Sequence, residues 1–63
     1  MSMPAKFEVT KDATGQYRFR LRASNNEIIA VSEAYTTKAN CLNGIESVKK
    51  NAPEATLEDQ TGE

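Results

Sequence analysis

Three arginines alternate with three apolar residues in the segment YRFRLR, residues 17–22. In a β-strand successive side chains point to opposite faces, so the arginines would form one row with intervals of about 6.6–7 Å. Guanidinium groups bind phosphate oxygens in a bidentate geometry, and such a row could follow the backbone of a nucleic acid or another polyanion. The candidate polyanion-binding residues are Arg18, Arg20, Arg22 and, from a later segment, Lys49.

The same row is also typical of the polar side of an ordinary amphipathic strand. Proteins that stack nucleic acid bases need aromatic side chains on the same face as the cations, whereas Tyr17 and Phe19 fall on the opposite face here. The preferred interpretation is a sheet face covered by solvent or by a second subunit, with Arg18 paired to Glu33.

The other side chains that could do chemistry favour packing over catalysis. Cys41 would need a neighbouring base or a lowered pKa to act as a nucleophile, and the chain contains no histidine. Ser32 and Glu33 lack the histidine or second carboxylate that acid–base catalysis requires. Tyr17 and Tyr35 are expected to be core or interface rings. We therefore predict no catalytic, cofactor-binding or metal-binding residue, and we expect the protein not to be an enzyme.

The length of 63 residues limits the chain to one small domain. Such a domain buries only about 60% of its unfolded surface and usually needs disulfides, a metal or a partner subunit. Cys41 is the single cysteine and histidine is absent, which excludes an internal disulfide framework and argues against a zinc site. Size therefore favours association with a second copy.

Charge is distributed unevenly along the chain. Residues 1–53 carry eight basic and five acidic groups, whereas residues 54–63 carry four acidic groups and no basic one. No apolar run approaches the ~20 residues that span a bilayer, and MSMPAKF lacks the pattern of a signal peptide. With the single unpaired cysteine, these features predict a cytoplasmic protein without a membrane partner.

Alternation of apolar and polar residues predicts three antiparallel strands. The residues Asp12 and Gly15 suit a three-residue hairpin loop that pairs Asp12 with Gln16, and NN at 25–26 suits a two-residue turn. With these turns the arginine side also carries Val31 and one of the two isoleucines before it, depending on register. The predicted strands are KFEVTK (6–11), YRFRLRAS (17–24) and EIIAVSE (27–33).

The period then changes to that of a helix. Thr36 or Thr37 can cap its N-terminus, and Pro53 ends it at about residue 51 or 52. Gly44 in its middle suggests close approach to another element. Residues 54–63 fit either a short strand or a disordered tail. The predicted apolar stripe of the helix consists of Cys41, Leu42, Ile45 and Val48.

Two segments together resemble the YegP-like family of small bacterial proteins of unknown function: YRFRLRASNNEIIAVSEAY, and the pattern K-A-x-x-x-x-GIESVKKNA after it. The resemblance runs from Lys6 to Pro53. It implies an α+β fold with the order β-β-β-α-β, in one domain over residues 1–63. That domain would comprise a core unit at 6–53 and an acidic C-terminal strand or tail at 54–63.

The resemblance also bears on partners. Members of the family carry one unit or two in tandem, so a single-unit chain is expected to form a homodimer that exchanges its C-terminal strands. The family supplies no activity, cofactor or catalytic residue. The predicted role is a non-enzymatic interaction or structural module, and a weak nucleic-acid or polyanion binder is the alternative.

Overall fold

The computed structural model describes residues 4–63, which form a three-stranded antiparallel sheet with one helix against it. The strands lie side by side in chain order, so β2 is central and β1 and β3 are the two edge strands. A single-turn 3-10 helix follows the α-helix. The elements are β1 (Lys6–Lys11), β2 (Tyr17–Arg22), β3 (Ile28–Val31), α1 (Lys38–Asn51) and the 3-10 turn (Ala52–Glu54). The predicted α+β architecture is confirmed.

The first hairpin has the predicted loop. The Asp12 N–H donates to the Gln16 carbonyl at 2.9 Å, and the Gly15 N–H donates to the Asp12 carbonyl at 3.0 Å. Gly15 has a φ of 86°, which the closing position of this loop requires. Asp12 Oδ1 also accepts from two backbone N–H groups of the loop, at 2.9 and 3.0 Å. The resulting register is the predicted one, Phe7 opposite Leu21 and Val9 opposite Phe19.

The second hairpin does not have the predicted two-residue turn. The Ala23 N–H donates to the Glu27 carbonyl at 2.8 Å, and the Asn26 N–H donates to the Ala23 carbonyl at 2.9 Å, so residues 24–26 form a three-residue loop. Asn26 has a φ of 72° and is the one non-glycine residue of the described range with a positive φ. A turn with two asparagines at positive φ would cost more, because each L-residue there is sterically disfavoured.

A β-bulge in β3 compensates for the additional loop residue. Ile29 has no partner in β2, since the pairing passes from Arg22–Ile28 directly to Leu21–Ala30. Beyond the bulge the strand follows the predicted register. The first and last residues of β3 therefore lie on the arginine side of the sheet, and Ala30 lies on the helix side.

Ser32 ends the ladder of β3. Its N–H donates to the Phe19 carbonyl at 2.9 Å, but the Phe19 N–H donates to Ser32 Oγ, also at 2.9 Å, instead of to a carbonyl. The Ser32 hydroxyl donates to the Glu33 carbonyl at 2.7 Å. The chain then returns to β2 at Tyr35, which exchanges two backbone hydrogen bonds with Tyr17, at 2.7 and 2.8 Å. The Ser32 hydroxyl thus satisfies backbone groups at the end of β3 and does not pair with the Glu33 carboxylate.

Helix α1 begins and ends where the sequence predicts. Thr37 is the N-cap, and its Oγ1 accepts from the Asn40 N–H at 3.1 Å. Lys49 and Lys50 lie in the last turn, where cations favour the helix dipole. The 3-10 turn that contains Pro53 extends the helical path by three residues, which the sequence reasoning did not anticipate.

The core between sheet and helix is small. Its buried hydrophobic residues are Phe19, Cys41 and Ile45, and Cys41 is completely buried, in agreement with its interpretation as a packing residue. Leu42 is 45% exposed and was wrongly assigned to the core stripe. Leu42 follows the buried Cys41 directly, so it lies about 100° further around the helix and points away from the sheet. Half-buried side chains surround the core: Phe7, Tyr17, Tyr35 and Val48.

Residues 55–63 form neither a helix nor a strand in the single chain. Leu57, the one large apolar residue of this segment, is 91% exposed. The predicted C-terminal strand is therefore not present within one subunit. A strand needs a neighbour for its backbone hydrogen bonds, and no strand of the same chain is paired with this segment.

Candidate functional site

The arginines line the side of the sheet that faces away from α1. We call this side the arginine face and define it by Lys6, Glu8, Arg18, Arg20 and Arg22, together with Ile28 and Val31 from β3. Phe19 projects from the same central strand to the opposite side, where it enters the core. The alternation of β2 therefore separates the cations from the aromatic rings, as the sequence predicts.

Glu8 binds two of the three arginines. Its Oε1 accepts from Arg20 Nε at 2.6 Å and from Arg22 Nε at 2.7 Å. Lys6 Nζ lies 3.5 Å from Oε2 of the same carboxylate. The hydrogen bonds from Arg22 and Arg20 lower the pKa of Glu8 from 4.5 to about 2. Sequence reasoning missed this cluster, although Glu8 lies directly opposite Arg20 in the predicted register, where opposite charges commonly pair.

Arg18 has a different partner from the predicted one. Its Nε lies 3.6 Å from Asp12 Oδ2 at the start of the first loop. The predicted pair with Glu33 is wrong, because β3 ends at Val31, before the position opposite Arg18. Hydrogen bonds from the Thr14 hydroxyl and from backbone N–H groups of the loop lower the pKa of the Asp12 carboxyl.

Lys49 lies on the other side of the sheet. Its Nζ is 5.9 Å from the ring centroid of Phe7, a residue of the helix side, and 3.6 Å from Glu46 Oε1. The four predicted polyanion-binding residues therefore do not form one surface. The structure brings the three arginines together with Lys6 and places Lys49 apart from them.

An open groove borders the core on the helix side of the sheet. Its volume is about 320 Å³, and it lies between the edge strand β3 and α1. Helix α1 packs on β2 at Phe19, whereas Ala30 of β3 stays exposed beside the groove. The apolar residues that line this open groove include Phe7, Phe19, Leu21, Ala30, Tyr35 and Val48.

The edge strand β3 is exposed along its whole length. Three of its four side chains are large and apolar, and Ile28, Ile29 and Val31 are 46%, 59% and 65% exposed. β3 pairs with β2 on one side and has no strand on the other within residues 4–63. An uncovered apolar edge is a template for pairing with another chain.

Within residues 4–63, no three His, Cys, Asp or Glu side chains are grouped so that they could hold a metal ion. In the same range no helix combines the length and the apolar character that crossing a membrane requires. The two features that stand out are therefore the arginine face and the open groove beside β3.

We expect Glu8 to make the stability of the fold depend on pH in acid. Its pKa is lower in the folded protein than in the unfolded chain, so its ionised form contributes stability above about pH 4.5 that is lost as the pH falls towards about 2. In urea unfolding experiments between pH 5 and pH 2, the free energy of unfolding should fall more steeply with decreasing pH for the wild type than for Glu8→Gln. The exposed Glu63→Gln is the matched control, and equal pH dependence of wild type and Glu8→Gln would contradict the assignment.

Known sequences resemble most of this chain. The sequence profile of a domain of unknown function, DUF1508, matches residues 12–59. A UPF0339 protein of Treponema denticola is 60% identical over 55 residues, which cover 87% of this chain and 95% of that protein. A UPF0339 protein of Stutzerimonas stutzeri is 54% identical over 52 residues, which cover 82% of this chain but only 47% of that protein. This second relative is therefore about twice as long as the segment it shares.

A solved structure has the same fold. The NMR solution structure of a protein from Haloferax volcanii superposes with a TM-score of 0.80 at 45% sequence identity, and the match covers 94% of this chain and 98% of that one. The similarity supports the arrangement of three antiparallel strands and one helix. No enzymatic activity is part of the names of these proteins.

Proposed function

The chain belongs to the DUF1508 family, which is the YegP-like family of small uncharacterised proteins, and from this premise we propose that it is a non-enzymatic interaction module that works as a homodimer. The observation that carries the proposal is the edge strand β3, whose three large apolar side chains are all exposed. Pairing with a second copy would remove this surface from water and satisfy the outer backbone groups of the edge.

The size of the core supports the same conclusion. Only three hydrophobic residues of the described range are buried, and the open groove leaves apolar side chains of the sheet uncovered. A domain of this length has little apolar burial to offset the entropy cost of folding. A second subunit adds burial without adding chain length, which makes the dimer the natural solution for a chain without disulfides.

Charge and the relatives give two further arguments. Residues 1–53, the body, have an excess of basic groups, and all charged groups of residues 54–63, the tail, are acidic. The tail of one copy and the body of another therefore attract each other. The relative from Stutzerimonas stutzeri is long enough for two units, as expected if fusing two associating copies gives a working protein.

The completely buried thiol of Cys41 is compatible with the proposed location of the dimer in the reducing cytoplasm.

Sedimentation equilibrium at micromolar concentration tests the homodimer. The expected mass is twice the chain mass of 6.9 kDa. Val31→Lys on the edge strand should weaken the dimer about tenfold or more, because a lysine on an edge opposes pairing. Leu42→Lys replaces an exposed apolar residue of α1 and should leave the dimer unchanged. A wild-type protein that sediments as a monomer contradicts the proposal.

Polyanion binding by the arginine face is the less favoured alternative. The carboxylates of Glu8 and Asp12 already pair with its arginines, and this compensation weakens the attraction for phosphates. Titration of labelled single-stranded nucleic acid at low salt tests the alternative. It requires binding that Glu8→Gln strengthens and Arg20→Ala weakens, and no binding at low salt excludes it.

A further inference from the structure

We propose that the arginine face docks an amphipathic helix of another protein, with acidic side chains at i and i+4 and aliphatic side chains on the adjoining stripe. The inference rests on the proposed role as an interaction module, and it adds the surface and the chemistry of the partner. The docking surface is the flat side of the sheet, whereas the homodimer is proposed at the outer edge of β3. The two proposals can therefore be tested separately.

The arginine face is the side of the sheet that no element of residues 4–63 covers. Helix α1 packs on the other side, where Phe19, Cys41 and Ile45 form the core. A sheet is stable when its apolar side chains are buried against a second layer. On the arginine face two apolar side chains, Ile28 and Val31, stay exposed. Their burial requires a partner outside the described chain.

Cationic and apolar side chains lie in two adjacent rows on this face. Val31 lies opposite Arg20 and Ile28 lies opposite Arg22, in strands about 4.8 Å apart. Along β2 the arginines recur at intervals of about 6.6–7 Å. In a helix, residues i and i+4 lie on one face about 6 Å apart along the axis, and the residue after each lies on the adjoining side. Acidic and aliphatic stripes on one helix therefore match both rows.

Glu8 leaves the outer ends of the guanidinium groups available. It accepts hydrogen bonds from Nε of Arg20 at 2.6 Å and from Nε of Arg22 at 2.7 Å. A guanidinium group has five N–H donors, and within residues 4–63 the Nη atoms of Arg20 form no hydrogen bond. Glu8 thus holds the two arginines side by side. A carboxylate of the partner can bind the remaining donors with less loss of side-chain freedom.

The face also keeps a net positive charge. Its four cations, Lys6 and the three arginines, pair with only two carboxylates, those of Glu8 and Asp12. A second copy of the same face is excluded as the occupant, because a two-fold contact would place cations against cations. The occupant must therefore carry the opposite charge.

The apolar row favours a protein over a nucleic acid. Phosphates would contact the arginines but offer no aliphatic side chain to Ile28 and Val31. The aromatic ring of Phe19, which could stack on a base, lies on the other side of the sheet. An acidic helix with an adjoining aliphatic stripe satisfies both rows at once.

The acidic segment 54–63 is the competing occupant within the chain. Its carboxylates form no ion pair with the arginine face in the part of the chain that the structure describes. Leu57 is its single large apolar residue and stays exposed. The segment therefore offers less to the apolar row than a helix with a continuous aliphatic stripe.

A labelled helical peptide tests the docking surface. The probe is an alanine-based peptide of about 18 residues, long enough to form a helix, with glutamates at i and i+4 and leucines at i+1 and i+5. The control peptide has the same composition, but its leucines lie on the side of the helix opposite the glutamates. Fluorescence anisotropy with the full chain should give a dissociation constant on the order of 100 μM or tighter for the probe and about tenfold weaker for the control. No binding of the probe at about 1 mM, or equal binding of both peptides, overturns the proposal.

Variants of the full chain locate the site. Arg20→Ala should weaken binding of the probe about tenfold or more, because it removes charge-assisted hydrogen bonds. Val31→Thr keeps the shape and strand propensity of the side chain, and the loss of its apolar contact should weaken binding about threefold or more. Lys50→Ala and Leu42→Ala alter α1, on the other side of the sheet, and should change binding less than about twofold. Control variants that weaken binding as much as Arg20→Ala overturn the placement.

Sedimentation equilibrium of the same samples separates this proposal from the homodimer. A dimeric wild type that does not bind the probe overturns the docking surface and leaves the homodimer standing, and a monomeric wild type that binds it does the reverse. Labelled single-stranded nucleic acid that binds more tightly than the probe, without an effect of Val31→Thr, overturns the class of partner. An increase in probe affinity of about tenfold or more when the acids of residues 54–63 are replaced by amides makes that segment the occupant and overturns the proposal.

Discussion

Removal of residues 55–63 should convert the protein from a dimer to a monomer at micromolar concentration. The truncation deletes the C-terminal segment that the family resemblance predicts to be exchanged between two copies, including Leu57 and three of the four acidic groups of residues 54–63. The remaining body keeps the sheet, the α-helix and every residue of the present core, and it loses the hydrogen bond from the Ala55 N–H to the Ala52 carbonyl that closes the 3-10 turn. Sedimentation equilibrium measures the mass, and circular dichroism shows whether the sheet and helix persist.

A second variant separates charge from strand pairing. Replacing all four acids of the tail by their amides keeps Leu57 and the backbone but removes the attraction to the basic body. This variant should still dimerise, with an affinity that depends less on salt than that of the wild type. A synthetic peptide of residues 54–63 added to the truncated chain should bind it, and a peptide with Leu57→Ala should not. An unchanged dimer after truncation would show that the tail is not part of the interface.

Gly44→Ala should destabilise the fold by about 1–3 kcal/mol, although alanine is the better helix former by about 1 kcal/mol. A Cβ at position 44 would lie 2.5 Å from the hydroxyl oxygen of Tyr35, 2.9 Å from its Cζ and 3.2 Å from Phe19 Cε2. Tyr35 cannot easily move away. Its ring stacks on that of Phe19 with the centroids 6.2 Å apart, and its backbone makes two hydrogen bonds with the backbone of Tyr17.

Urea unfolding of a small set of variants measures this effect. In a Tyr35→Leu background the close contact is relieved, so Gly44→Ala should there become neutral or stabilising by up to about 1 kcal/mol. Tyr35→Phe is a milder background that removes only the nearest atom. Asn43→Ala, at an exposed position of the same helix, is the propensity control and should not destabilise. Stabilisation by Gly44→Ala in the wild-type background would refute the packing explanation.

Local sequence patterns predict the elements of this fold well. The alternation in KFEVTK and YRFRLR, the Asp12–Gly15 loop and the Thr37 cap all depend on residues close together in the chain, and the structure confirms each of them. Gly44 also indicates a close approach, although the partner, Tyr35, could not be read from the sequence. The predicted two-residue Asn–Asn turn is wrong. Two-residue and three-residue loops differ in length by a single residue, and the bulge at Ile29 makes either loop compatible with the same core.

Contacts of the candidate site were predicted less well. The arginine row was identified, but its partners were not: Arg18 binds Asp12 instead of Glu33, and Glu8 binds the other two arginines. Lys49 lies on the opposite side of the sheet. The Glu8 pairs follow from the register of the first hairpin, whereas the other two outcomes depend on where β3 ends and on which face of the sheet α1 covers. Both are properties of contacts between segments that are distant in sequence.

The sequence by itself determined the strands, the helix, their order and the amphipathic character of YRFRLR, because these follow from short-range periodicity and turn chemistry. Only the tertiary structure decided that the one carboxylate of Glu8 binds both Arg20 and Arg22, that Arg18 pairs with Asp12, and that a groove remains open beside an exposed edge strand. Ion pairs and grooves depend on distances across the sheet and between sheet and helix. The arginines therefore no longer stand out as the principal candidate, and the surface that most needs a partner is the apolar edge next to them.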